Sequence, residues 1–235
     1  MADLHTPSNT RSSIPTLLIG LAVAAVVVLS VLVFILALRL EWTLGWIYVG
    51  IMIVAGGINT ACLLRWNPVL IKRRMWLGKG TKTWDIVWLV LFALVVIAVY
   101  VIAVFEARDG GWGNPAVDWL LGLAIFVPGW TLVTWSMVVN PFFEKTVRIQ
   151  TDHGHSVIDT GPYAYVRHPG YVGFSGWLLS TPLLLGSAWA FVPAVLAVVA
   201  LVIRTVLEDR TLQAELPAYA EYAVRVRFRL IPGIW

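Results

Sequence analysis

One cysteine, Cys62, stands among 235 residues. No intrachain disulfide can form, and zinc sites built from several cysteines are excluded. Cys62 falls inside an apolar stretch, where a thiol serves as a small packing group. Charge is scarce too. Asp, Glu, Lys and Arg make up 13% of the chain, against about 25% in soluble domains, so a water-exposed globule is ruled out. Of 4 histidines, only His153 and His155 stand close together, on a short loop that fixes no third ligand, so no metal is expected. What remains is apolar: 59% hydrophobic residues and a mean hydropathy of +0.81.

Roughly 20 apolar residues in a helix cross a bilayer. Six such runs are read from the pattern: Ile14–Leu38, Trp42–Leu64, Trp84–Phe105, Val117–Val139, Tyr171–Leu185 and Trp189–Leu207. The first is too long for a signal-peptide core and is read as a retained helix. The fifth is short and holds Pro182. Only Gly186-Ser187-Ala188 separates it from the sixth, which predicts a tight helical hairpin. With the N-terminus in the cytoplasm, only Arg39 and Arg108 of 17 Lys and Arg fall on the far side, the asymmetry expected of cytoplasmic loops. The net charge of +4 then reflects basic loops beside anionic lipid, and no nucleic-acid partner is implied. The predicted fold class is an all-α polytopic membrane protein of about six transmembrane helices, with a cofactor site on the cytoplasmic side.

Three regions follow. Residues 1–13 are polar and read as disordered. Residues 14–140 form a four-helix transmembrane region. Residues 141–235 carry the chemistry. In the first region of spans, Gly56-Gly57 and the Trp130–Trp135 stretch read as helix packing and interface anchoring, and Pro128-Gly129 as a kink. Beyond the sixth run the chain stays helical by propensity to Pro217, and a short helix is expected over Ala218–Val226.

The densest information lies in Gly161-Pro-Tyr163-Ala-Tyr-Val-Arg167-His168-Pro169-Gly170-Tyr171-Val-Gly173. Polar groups, prolines and glycines stand directly before an apolar run. Proline at the first helical position fixes the start of a helix, whose free N–H groups form a seat for an anion. Downstream, Arg204 and Glu208 are four apart and share one helical face, while Asp209 points elsewhere, toward solvent. The hairpin brings the start of the fifth span and the end of the sixth to the same side, so both polar clusters can form one site.

These two segments resemble the integral-membrane methyltransferase family that includes isoprenylcysteine carboxyl methyltransferase and the phospholipid methyltransferases. The resemblance rests on Gly161-Pro-Tyr163, Arg167-His168-Pro169, Tyr171 and Gly173, then on Arg204, Glu208-Asp209, Leu212, Tyr219 and Tyr222, over roughly the last 100 residues. Where that family carries a richer acidic run, this chain has Val206-Leu207. The resemblance implies S-adenosyl-L-methionine as cofactor, bound by Tyr163, Arg167, His168, Pro169, Gly170, Tyr171, Gly173 and Glu208. It implies Arg167, Arg204 and Glu208 as catalytic residues, with Arg204 or Arg167 orienting a lipid-like or isoprenoid acceptor that enters from the bilayer. A carboxylate acceptor needs no base. An amine acceptor must first lose a proton, to Glu208 or His168. A bacterial inner membrane or an endoplasmic reticulum fits, the short loops favouring the former. Two other readings remain open: an NADPH-dependent membrane reductase of the sterol-reductase type, with a similar Arg-His-Pro-x-Tyr loop, and a membrane scaffold without chemistry.

Overall fold

The computed structural model describes residues 42–74 and 80–235. The predicted Ile14–Leu38 span and the 1–13 segment lie outside the described residues. Within them the regular elements are seven α-helices and two 3₁₀ turns, with no strand. We number the helices α1 (Thr43–Trp66), α2 (Pro68–Arg74), α3 (Thr83–Arg108), α4 (Pro115–Val139), α5 (Pro169–Leu185), α6 (Phe191–Glu215) and α7 (Tyr219–Arg225). Four of them, α1, α3, α4 and α6, are long and apolar enough to cross a membrane. With 17 residues, α5 reaches only about 25 Å, short of a typical hydrocarbon core of about 30 Å. Side chains such as Ile53, Val54, Leu91, Leu120 and Leu196 stand exposed on outer faces, an arrangement that lipid tolerates and water does not. The chain is an integral membrane protein, all-helical among the described residues.

The helices start and stop where the sequence gives backbone reasons. Pro115 opens α4, and the Asn114 side chain accepts from Ala116 N (3.2 Å). Pro169 likewise opens α5. Gly186 closes α5 in the left-handed region (φ 66°), donating to Leu183 O and Pro182 O. The turn after it is held by Glu106, at the end of α3. Its carboxylate accepts from Ser187 Oγ (2.5 Å) and Trp189 N (3.1 Å), satisfying N–H and O–H groups at the start of α6. This is the tight hairpin expected from residues 186–188.

The tightest helix contact joins α4 and α5. Small residues make it, as is usual where lipid supplies no hydrophobic drive between helices. A Cβ on Gly129 would sit 3.0 Å from Gly173 O, and one on Gly173 would fall 2.9 Å from Val133 N and closer still to Gly129 O. The Pro128-Gly129 pair thus lets α5 approach, and α4 runs through Pro128 as continuous helix. At Gly56-Gly57 nothing described lies within 4 Å of an added Cβ. Trp130 is a packing residue, its Nε1 donating to Ala55 O of α1 (3.0 Å).

Midway through the bundle, Tyr48, Tyr100, Thr181 and Trp177 join α1, α3 and α5 in a buried hydrogen-bond cluster. Trp177 Nε1 donates to Tyr48 Oη (3.0 Å), which lies 3.1 Å from Thr181 Oγ1 and 3.2 Å from Tyr100 Oη. Each polar group thereby escapes the cost of going unpaired in an apolar medium. Beyond α4 the connection 140–160 folds back over the helix ends. Arg73 and Arg74, at the end of α2, donate to Pro141 O (2.9 Å) and Phe143 O (2.8 Å) and pin it. With 25 residues, α6 outruns α5: Arg204 stands beside the first turn of α5, over the Tyr171 ring, and the extra turns begin at Glu208 and Asp209.

Candidate functional site

Neighbouring residues on a helix point about 100° apart, so Glu208 and Asp209 face different surroundings. The structure gives them opposite environments. Asp209 is fully buried, against the expectation that it faces solvent. Its carboxylate accepts from Arg167 Nε (2.8 Å) and Nη2 (3.0 Å), Arg229 Nε (2.9 Å), Tyr219 Oη (3.0 Å) and Gln213 Nε2 (2.9 Å), with His168 Nε2 at 3.3 Å. The reason is tertiary: the α6 end meets the Arg167-His168 corner on one side and the C-terminal tail on the other.

Arg167 is correspondingly spent. Besides Asp209 it donates from Nη1 to Val226 O (2.7 Å) and Arg227 O (2.8 Å). Burial alone would lower its pKa; the hydrogen bonds and charge of Asp209 outweigh that and raise it. The guanidinium is a permanently charged strut between α6 and the tail. The tail also takes the motif's backbone: Arg167 N donates to Phe228 O (3.0 Å) and His168 N to Arg229 O (2.9 Å). The predicted anion seat is therefore largely filled by protein. Tyr171 N donates to His168 O (3.0 Å), and Phe143 covers Gly170, where a Cβ would lie 2.5 Å from the ring.

Glu208 faces a cavity of about 250 Å³. Its Oε2 accepts a short hydrogen bond from the Tyr171 hydroxyl, and its Oε1 has no partner among the described residues. Arg204, one turn back on the same face, lines the same cavity. Sequence spacing left it free to pair with Glu208, yet its ion partner is Asp85 on α3. Arg204 Nη2 donates to Asp85 Oδ2 (3.1 Å) and to Lys145 O (2.8 Å), and Nε lies 2.9 Å from Oδ1, off the line of a hydrogen bond. The guanidinium also stacks over Trp88, 4.5 Å from the ring centre. Asp85 is fully buried and takes a further bond from Val147 N (2.6 Å). Sequence reading missed it. The available signal was an acid one residue inside an apolar span, which needs a partner.

Of the residues expected to hold a cofactor, Tyr163, Arg167, His168, Gly170, Tyr171 and Glu208 line the cavity. Pro169 and Gly173 do not. Gly173 faces α4, and Pro169 serves as the first residue of α5. Tyr163 receives Asn140 Nδ2 at its hydroxyl (3.1 Å), and burial pushes its phenol pKa up. His168 stacks flat on Tyr171, with ring centres 5.7 Å apart. His153 is solvent-facing beside Asp152 (3.4 Å). His155 packs on Phe142 and lines the cavity; its Nδ1 accepts from Gln150 N (3.3 Å). The lining also takes in apolar side chains, Trp88, Leu89, Phe92, Phe174 and Leu201 among them, and charged ones, among them Arg74, Glu144 and Arg148.

The helices mark an integral membrane protein, and the mixed cavity lies at one end of its helical hairpin. Residues 121–214, from α4 into α6, match the family model described as Isoprenylcysteine carboxyl methyltransferase (ICMT) family. A segment of 45 residues is 47% identical to Protein-S-isoprenylcysteine O-methyltransferase of Schizosaccharomyces pombe (strain 972 / ATCC 24843). That segment spans 19% of this chain and 19% of the relative. Asp85, Trp88, Tyr219 and Arg229 all lie outside the family match.

Proposed function

We propose that this protein transfers a methyl group from S-adenosyl-L-methionine to a carboxylate on a membrane-resident, isoprenoid-like lipid. One observation carries the reading: a single cavity is lined both by Glu208, Arg204 and Tyr171 and by the rings and aliphatic chains of α3, α5 and α6. A polar cofactor and a lipid headgroup can meet in such a place.

The residues fit the cofactor. Glu208 has an unpartnered carboxylate oxygen, suited to an ammonium group. When bound, the cofactor supplies an electrophilic methyl on a cationic sulfur. Everything else is positioning. Arg204 is held charged against Asp85 and presents a cation at the cavity wall, which favours an anionic acceptor. A carboxylate oxygen takes the methyl, the sulfur keeps the bonding electron pair, and no proton moves. Opposite charges cancel in that step, so a low-dielectric site favours it. An amine acceptor would need a base. His168 is committed to Asp209, which leaves Glu208 alone for that task and weakens the amine alternative. Arg167, tied to Asp209 and two carbonyls, holds the fold of the site, and Arg204 orients the acceptor.

The printed name of the yeast relative, an isoprenylcysteine O-methyltransferase, points the same way. The distribution of Lys and Arg puts the site on the cytoplasmic side, and the short loops favour a bacterial inner membrane. The test is incubation of the purified protein with methyl-labelled cofactor and membrane lipid extract. Base-labile label in a lipid fraction is expected, because an ester releases methanol in alkali. NADPH oxidation without labelled product would replace this reading by the reductase one.

A further inference from the structure

Below Arg204 and Tyr171 the cavity runs inward between α3, α5 and α6, and its lining stops at nearly one depth on all three. The innermost lining residues are Phe92 on α3, Trp177 on α5 and Leu201 on α6. All three pack in one apolar cluster with Leu178 and Ala197, which are 2% and 0% exposed, so the space is closed there. Trp177 is the largest of the closing side chains, and it is locked in place. Its Nε1 donates to Tyr48 Oη (3.0 Å), and its carbonyl accepts from Thr181 Oγ1 (2.8 Å). Its ring meets Trp130 edge-on, with centres 6.4 Å apart. The Thr181 hydrogen is thereby used, so the Tyr48 hydroxyl donates to Thr181 Oγ1 (3.1 Å) while it accepts from Trp177. Swinging the indole aside would strand its N–H in an apolar interior.

We propose that Trp177 is the floor that limits how long an acceptor chain the site can bury, and that the acceptor is a carboxylate carrying roughly two isoprene units. The inference rests on the methyl transfer to a lipid-like carboxylate proposed above and adds its length limit. Arg204, the cation that would hold the carboxylate, lies over the Tyr171 ring, 5.7 Å from its centre. From Tyr171 to Trp177 helix α5 rises about 9 Å. Carbon–carbon bonds of about 1.5 Å advance an extended chain by about 1.3 Å each, so about seven chain carbons reach the floor. A third isoprene unit would have to displace the indole, and a packed interior resists overfilling.

Turnover by the purified full chain tests this, with methyl-labelled S-adenosyl-L-methionine and S-prenyl mercaptopropionic acids of one to four isoprene units. Wild-type kcat/KM should rise from one unit to two and fall at least about tenfold at three, because a closed apolar pocket discriminates by fit. Trp177→Leu lowers the floor and should move that fall to between three and four units. Near-wild-type affinity for S-adenosylhomocysteine, read by calorimetry, shows that the variant is folded. Three- and four-unit acids used as well as the two-unit acid overturn the floor while leaving methyl transfer standing, and this arm needs no variant. A fall that stays at the same length in folded Trp177→Leu overturns the role of Trp177. Label in membrane lipid extract but in none of these acids overturns the inference alone. No label in either removes the methyl-transfer reading itself.

Discussion

Asp209 and Glu208 are adjacent, both acidic, and should fail in opposite ways. Asp209→Ala removes the acceptor for Arg167, Arg229, Tyr219 and Gln213 at once. Arg167 keeps its carbonyl partners at Val226 and Arg227 but loses its carboxylate partner, in a site where its side chain is 4% exposed. Removing one partner of a buried pair costs about 3–5 kcal/mol. For a chain of this size each kcal/mol moves the melting point by about 2–4 °C, so a fall of roughly 6–20 °C is expected. Asp209→Asn keeps an acceptor oxygen and the shape, and should fall between wild type and Ala. Glu208→Gln should melt close to wild type, because Glu208 holds only the Tyr171 hydroxyl, yet lose most cofactor affinity. Tryptophan fluorescence on heating, run beside calorimetry in detergent, separates the two. An Asp209→Ala protein that melts within about 2 °C of wild type would refute the strut argument, as would a Glu208→Gln protein that unfolds early and binds normally.

Three further outcomes follow from the same geometry. Gly173→Ala should destabilise by about 1–3 kcal/mol, read as a lowered melting point, because the new methyl meets Gly129 O and Val133 N on α4 and the two backbones cannot give way. Asp85→Asn should raise KM for the lipid acceptor while cofactor affinity in calorimetry stays near wild type, since Asp85 touches Arg204 and not the Glu208 end; a loss of cofactor affinity alone would reverse the assigned roles. Burial holds the pKa of His155 below its ordinary value, so the folded chain binds this proton less readily than the unfolded chain. Its stabilising contribution is therefore complete above about pH 6.5 and is lost as the pH falls below that. Melting points measured between pH 7.5 and 5 should drop on the acid side, and His155→Phe should flatten that slope; a slope unchanged in the variant would assign it to another group.

Much of this molecule is legible along the chain. Unbroken apolar runs mark the helices, because a bilayer demands that each backbone satisfy itself. Within the described residues the predicted starts of α1, α3, α4, α5 and α6 lie within two residues of those observed. Gly186 and Ser187 announce the hairpin, since a short turn between apolar helices leaves them nowhere to go but back. The hairpin in turn puts the Arg167–Gly173 motif beside Glu208. Periodicity also separates Arg204 and Glu208 from Asp209 by direction. It cannot say what each direction meets. That Asp209 is the buried anchor and Glu208 the free carboxylate depends on a tail returning from residues 226–229 and on helix α3. Arg204 finds its anion at Asp85, 119 residues away in sequence, and Gln150 becomes an orphaned acceptor only once the connection folds over the helix ends. Local sequence sets which way a side chain points on its helix; the partner at the end of that direction is supplied by distant segments, and for a buried charge the partner decides whether it braces the fold or stands ready for a ligand.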